Sequence, residues 1–291
     1  MDGLTLLIPS SVVREAEDKR EATRKLGYVA RAAAVFRADR LCVFPDREGE
    51  RRWGEDFVRI VLQYAATPPH LKGEVWGKRD ELQFAGVLPP LRLSSQTTAD
   101  SSESAVNQGI VTEVGPEGRV RVNCGLQHPI SLNVPPKMVV DEGERVTVRI
   151  SSREPVRARL VDEPTPGFDV ATVNLSAALA DAAGRRIATS RHGQMLSITR
   201  LAEFRPDYRD GLTVAFGAPG RGLPEILGIP PEAISAADAA GASKPHGLDD
   251  NHVDSDPGFD RWLNTIPRQG SETVRTEEAM FASLACLTLT E

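Results

Sequence analysis

The chain has 291 residues, 40% hydrophobic and 26% charged, with a formal net charge of −6. This length and composition support one large domain or two modest ones with a sizeable core, and exclude a disordered chain. The negative balance excludes a global basic field, so any nucleic-acid binding needs a local basic face. Arginine is abundant and lysine scarce, a bias that suits bidentate phosphate recognition. The three cysteines, Cys42, Cys124 and Cys286, are far apart and sit in apolar runs. They predict buried free thiols in a reducing compartment. Five scattered histidines carry no metal-ligand spacing, so no metal is expected. The acidic, briefly apolar start is not a signal peptide, and no apolar run reaches the ~18 residues of a membrane span. A cytoplasmic protein is expected.

In chain order, Leu4 to Ile8 is a short strand, and Ser10 or Ser11 is placed to cap a helix through Ala16, Ala22 and Leu26. Gly27 interrupts that helix, and Tyr28 to Phe36 continues it with small residues around Arg31. Arg40 to Phe44 is a buried strand, giving a βαβ unit and a parallel sheet. Another helix is expected over Gly54 to Ala66. The polar stretch SSQTTADSSES, Ser94 to Ser104, is expected to be a flexible connection.

The rhythm then changes. Gln108 to Val114, Gly118 to Cys124, Pro129 to Val134, Glu144 to Ile150 and Val156 to Val161 are five short β-type runs separated by Gly, Pro and Asp. They predict a small barrel of the five-stranded OB type. Arg119, Arg121, Arg145, Arg149, Arg153, Arg157 and Arg159 fall on its polar faces. Such a pattern suits either a solvated exterior or an RNA-facing surface.

Alternating α/β character resumes after Pro164. Phe168 to Val173 is a strand, Leu175 to Ala183 a helix, and Arg186 to Thr189 a strand ending in Ser190-Arg191-His192-Gly193. Leu212 to Phe216 is a strand running into Gly217 to Leu223, where a helix starts. Ala236 to Asp260 is long and polar, and a last strand over Trp262 to Thr265 runs into a loop from Asn264 to Thr273. In that loop Gly270 is expected to supply a positive φ and a close approach to ligand. A helix follows from Thr273 or Thr276, with Glu277 and Glu278 in its first turn as dipole partners. Three strands thus each end in a small-residue loop, and ligands bind at the carboxyl ends of strands in open parallel sheets. One shared pocket is expected.

The segments IPSSVV, RKLGYVARAAAVFRADRLCVFPD, TSRHG, VAFGAPGRGL and LNTIPRQGSETVRTEEA resemble a SPOUT-class RNA methyltransferase of the archaeal and eukaryotic branch with an OB-like insertion. The resemblance covers essentially the whole chain. It implies a parallel sheet with a C-terminal trefoil knot, built from residues 1–92 and 164–291 around an insertion at 93–163. It further implies a homodimer that binds RNA, with ribosomal RNA the expected substrate. S-adenosylmethionine would be held by Thr189, Ser190, Gly193, Phe216, Gly217, Gly222, Leu223, Ile266, Pro267, Gly270, Ser271, Thr273, Val274 and Thr276. Arg31 would be the catalytic residue, acting across the dimer. Arg24, Arg121, Arg149, Arg221 and Arg275 would contact RNA. Glu277, Glu278 and His192 are general-base candidates. Lys25 stands where the ribose-methylating branch carries Asn, which favours a base nitrogen over the ribose 2′-hydroxyl as acceptor. The alternative is a non-catalytic RNA-binding or ribosome-assembly protein that keeps the fold.

Overall fold

In this computed structural model the described residues are 3–91, 105–204, 210–234 and 258–289. The expected connection over Ser94 to Ser104 and most of the stretch from Ala236 to Asp260 lie outside them. The chain divides into two compact units. One comprises residues 1–63, 84–89 and 168–291; the other comprises 64–83 and 90–167.

The first unit is an α/β structure around a six-stranded parallel sheet. Its strands are β1 (Leu4–Pro9), β2 (Arg40–Phe44), β8 (Asp169–Thr172), β9 (Arg185–Met195), β10 (Leu212–Ala215) and β11 (Arg261–Asn264), in the order β11-β9-β10-β1-β2-β8. Residues 6–8 and 41–44 are all buried, on both faces of their strands. That pattern is what a parallel sheet covered on both sides demands. On one face Leu7, Cys42, Phe44, Ala188, Ala215 and Trp262 pack with Leu179 of α4 (Leu175–Ala180) and Leu223 of α6 (Leu223–Leu227). Burial raises the Cys42 thiol above its usual range.

Two expectations at the amino end are corrected. Helix α1 (Lys19–Val35) is continuous through Gly27, and its cap is Asp18, whose carboxylate accepts from Glu21 N. Gly27 is required there by packing: a Cβ would lie 2.5 Å from Pro89 Cδ and 3.1 Å from Leu88 Cδ2. Ser10 and Ser11, both fully buried, instead bind Asp46 beyond β2. Small residues along α1 let α7 (Thr276–Leu287) pack against it, with Phe36 and Phe281 meeting edge to face at 6.0 Å.

The second unit is a five-stranded antiparallel sheet in the order β5-β4-β3-β6-β7. Its strands are β3 (Ala105–Val114), β4 (Arg119–Asn123), β5 (Ile130–Asn133), β6 (Arg145–Arg153) and β7 (Val156–Val161). Alternation in RVRVN places Val120 and Val122 in a core with Val111, Leu132, Val146, Val148 and Leu160, while Arg119 and Arg121 face out. The edge strands β5 and β7 approach each other, so the sheet is barrel-like and nearly closed. Residues 64–83 belong to this unit. Arg145 donates to Thr67 Oγ1 at 3.2 Å, and Asn123 Nδ2 to Glu74 at 2.6 Å.

Candidate functional site

Parallel strands share one carboxyl edge. The outer part of β9 and the segments leaving β10 and β11 there enclose a cleft of about 600 Å³, within the size range of small-molecule sites. Side chain to backbone hydrogen bonds tie the three segments together. Thr189 Oγ1 donates to Ala215 O at 2.9 Å, Thr276 Oγ1 to Gly217 O at 2.8 Å, and Asn264 Nδ2 to Arg191 O at 3.0 Å. Asn264 Oδ1 also accepts from Ile266 N at 3.1 Å, an Asx turn that starts the third loop.

The first segment differs from the expected strand-then-loop. β9 pairs with β11 at Ile187 and Ala188, then again at Gln194 and Met195, while β11 advances only from Trp262 to Leu263. The five residues Thr189 to Gly193 therefore bow out of the ladder, and Thr189 to His192 wall the cleft. Gly193 brings the strand back. A Cβ there would lie 2.7 Å from Leu263 N and 2.8 Å from Trp262 O, so this glycine answers to β11 and not to the cleft.

Of the residues expected to hold a cofactor, Thr189, Ser190, Gly217, Gly222, Ile266, Thr273, Val274 and Thr276 line the cleft. Phe216 and Leu223 are fully buried. Pro267, Gly270 and Ser271 share the third loop without lining the cleft, and Ser271 Oγ donates to Thr273 O. The expected positive φ at Gly270 is corrected. It falls on Arg268, at 61°, while Gly270 stays out of the left-handed region with nothing near its missing Cβ. A non-glycine residue held there carries strain of about 1–2 kcal/mol.

Asn264, Thr265, Gln269 and Glu272, all within the loop from Asn264 to Thr273 that was expected to reach the pocket, also line the cleft. A strand-terminal Asn ahead of Thr265-Ile266-Pro267 was the available signal, since Asn readily turns the chain by bonding its own backbone.

The charged candidates separate by what they touch. Arg221 lines the cleft, but its side chain is only 11% exposed and meets three carboxylates. Nε is 3.1 Å from Asp46 Oδ2, and the other nitrogens reach Glu225 at 3.0 Å and Glu48 at 3.3 Å. The bond to Asp46 raises this guanidinium further above its already high range. Arg275 pairs with Glu15 at 3.2 Å, and Arg149 with Glu163 at 2.5 Å, while Arg24 and Arg121 are exposed. Arg31 lies half-buried on α1, outside the cleft lining of its own chain.

Among the general-base candidates, Glu278 caps α7 by accepting from Arg275 N at 2.9 Å. Glu277 is buried, and desolvation raises its carboxyl above the usual range. It does not line the cleft; His192 does. Arg191 Nε donates to His192 Nε2 at 3.2 Å, which makes that ring nitrogen the acceptor. Among the described residues no group of His, Cys, Asp and Glu could hold a metal, and no helix is long and apolar enough to cross a membrane.

Residues 3–287 match the model of a family described as "Putative RNA methyltransferase". The chain is 62% identical to an uncharacterized protein of Halobacterium salinarum over 99% of both chains. It is 30% identical to the 28S rRNA (uridine-N(3))-methyltransferase of Mus musculus, over 98% of this chain and 75% of the relative. Identity to the protein of that name from Homo sapiens is 29%, over 98% and 77%. The chain, with its parallel sheet closing on one cleft and its five-stranded antiparallel unit, is thus a member of the SPOUT-class RNA methyltransferases.

Proposed function

We propose that the protein transfers a methyl group from S-adenosylmethionine to N3 of a uridine in ribosomal RNA. The observation that carries this reading is the convergence of the bowed part of β9 and the segments after β10 and β11 on one cleft, cross-tied by Thr189, Asn264 and Thr276. The names of the animal relatives support the choice of nucleotide and atom. We assign residues 164–291 a trefoil knot, and the five-stranded unit the role of an OB-like RNA-binding insertion.

The residues present fit the cofactor. The cleft offers small residues and backbone groups from Gly217 and Ile266, and Thr273, Val274 and Thr276 at the entry to α7, where N–H groups face a polar ligand. When bound, S-adenosylmethionine supplies an electrophilic methyl group on a sulfonium. The chain supplies orientation and desolvation, and removes one proton from N3 of the uracil ring. His192 in the cleft wall is the candidate to accept that proton. Such a transfer requires Arg191 to release Nε2, which arriving RNA phosphate would favour by engaging the guanidinium.

Arg31 is assigned to the acceptor side of a homodimer, reaching the partner subunit's cleft. The exposed apolar side chains Tyr28 and Val35, spaced along α1 around Arg31, support such an interface. Arg24, Arg121 and Arg275 are assigned to RNA phosphates. Isothermal titration with S-adenosylmethionine tests the cofactor assignment, and absence of heat at high protein concentration overturns it. Nucleoside mass spectrometry of methylated RNA tests the atom: 3-methyluridine is expected, and a 2′-O-methyl product overturns the assignment.

A further inference from the structure

A second concavity, of about 680 Å³, lies in the five-stranded unit where β5 and β7 approach each other. β5 hydrogen-bonds only to β4, and β7 only to β6, so both edges facing the seam carry backbone groups outside any ladder among the described residues. Three guanidinium groups line this seam, from Arg149, Arg157 and Arg159, with the small hydroxyl residues Ser131 and Ser151 between them. Among the described residues no carboxylate lines it.

The register makes the charge arrangement costly. Arg149 stands directly opposite Arg159 across β6 and β7, and like charges so placed repel. Glu163 offsets one of them by bonding Arg149. Among the described residues Arg157 and Arg159 have no ion pair, and both are exposed. A bulge between Ile150 and Ser152, opposite Arg157, breaks the regular ladder where the groove opens, and bulges re-aim neighbouring side chains. On the far side of the seam, Ser131 pairs with Arg121, which extends the cationic band onto β4. A groove bounded by two strand edges, with short hydroxyls and mutually repelling arginines, is complementary to a chain of phosphates. An added peptide strand would instead need pockets for its alternate side chains.

We propose that the β5–β7 seam grips a single-stranded segment of the RNA substrate through its phosphates, with Arg157 and Arg159 as principal contacts and Arg149 recruited from Glu163. The inference rests on the RNA methyltransferase reading and assigns the place where the substrate strand is held. The test uses the full chain and a labelled mixed-sequence oligoribonucleotide of about 12 nucleotides, within the site size of such folds. Fluorescence anisotropy is recorded across a salt series. R157A/R159A is expected to weaken binding at least tenfold and to flatten the log–log salt slope by about 1.4, some 0.7 per lost phosphate contact. R157K/R159K keeps the slope, and E163Q tightens binding. Wild-type affinity and slope in R157A/R159A, with an unchanged melting curve, overturn the proposal. Equal losses on a blunt duplex of the same length overturn the single-strand assignment. If the wild type gives heat with S-adenosylmethionine but binds no oligoribonucleotide, the seam proposal fails and the cofactor assignment stands. RNA binding that depends on Arg157 and Arg159 without cofactor heat does the reverse.

Discussion

Asp46 and Arg221, 175 residues apart, form a part-buried ion pair at 3.1 Å that joins the turn after β2 to the glycine loop after β10. Ser11 Oγ donates to the same carboxylate at 2.5 Å, and Asp46 N donates to Ser10 Oγ at 2.9 Å, so the ends of three neighbouring strands meet on one residue. Asp46→Ala removes the main partner of a part-buried guanidinium that keeps Glu225 and Glu48, and is expected to cost about 1–3 kcal/mol. Chemical denaturation measures that loss, and titration should show at least a tenfold weaker affinity for S-adenosylmethionine. The double variant with Arg221→Ala is expected to cost less than the sum of the two singles, because one interaction is being removed twice.

Thr276→Val removes the bond to Gly217 O while keeping the side-chain shape. The unsatisfied carbonyl is expected to cost about 1–2 kcal/mol. A several-fold rise in Kd for S-adenosylmethionine should accompany it if the second and third segments hold the cofactor together.

Two glycines in the cofactor motifs are expected to respond in opposite ways. Gly193→Ala forces a methyl into the backbone of Trp262 and Leu263 and should destabilise by at least about 3 kcal/mol. At roughly 2–4 °C per kcal/mol, Tm should fall by about 6–12 °C. Gly270→Ala meets nothing within 4 Å and needs no left-handed φ, so its stability should stay within about 0.5 kcal/mol of wild type. Thermal melts of both variants check the contrast.

Asp260 lies just before β11. Burial works to raise its carboxyl, but the bonds from Arg186 outweigh this and hold it below the usual range. They run at 2.7 Å from Nη2, 3.1 Å from Nε and 2.8 Å from the backbone N. A carboxylate lowered on folding adds stability above its unfolded value and loses it as pH falls through the folded one. Asp260→Asn is expected to lose about 1–2 kcal/mol at neutral pH, and the gap should close in strong acid. Urea melts from pH 7 down to about pH 2 read this out.

Glu277 carries the opposite sign. Its folded value is raised by burial, so its protonated form is the better tolerated. The favourable contribution is complete below the unfolded value and disappears as pH rises through the folded one. Glu277→Gln should therefore equal wild type in acid and exceed it above neutrality. A variant that is less stable at pH 8 would show that the carboxylate is held by a favourable partner.

Hydrophobic period and turn chemistry mark part of every named strand, although β9 runs on past Thr189 to Met195. Leu4–Pro9 and Arg40–Phe44 are unbroken apolar runs, as strands buried on both faces must be. RVRVN and RVTVRI alternate because one face of the second unit is wet. The three small-residue segments, and thereby the cleft, were legible for the same local reason. Tertiary structure alone decided what each glycine and arginine is for. Gly27 and Gly193 answer to backbone or ring atoms far away in the chain. The positive φ moved from Gly270 to Arg268 because the loop is held at Asn264 and Thr276, not at its glycine. Arg221 carries the same residue letter as an exposed phosphate contact, but Asp46, Glu48 and Glu225 converge on it. Local pattern sets period and turn propensity. Long-range contacts set which polar group is already bound, and those pairings arise only when strands distant in sequence come to lie side by side.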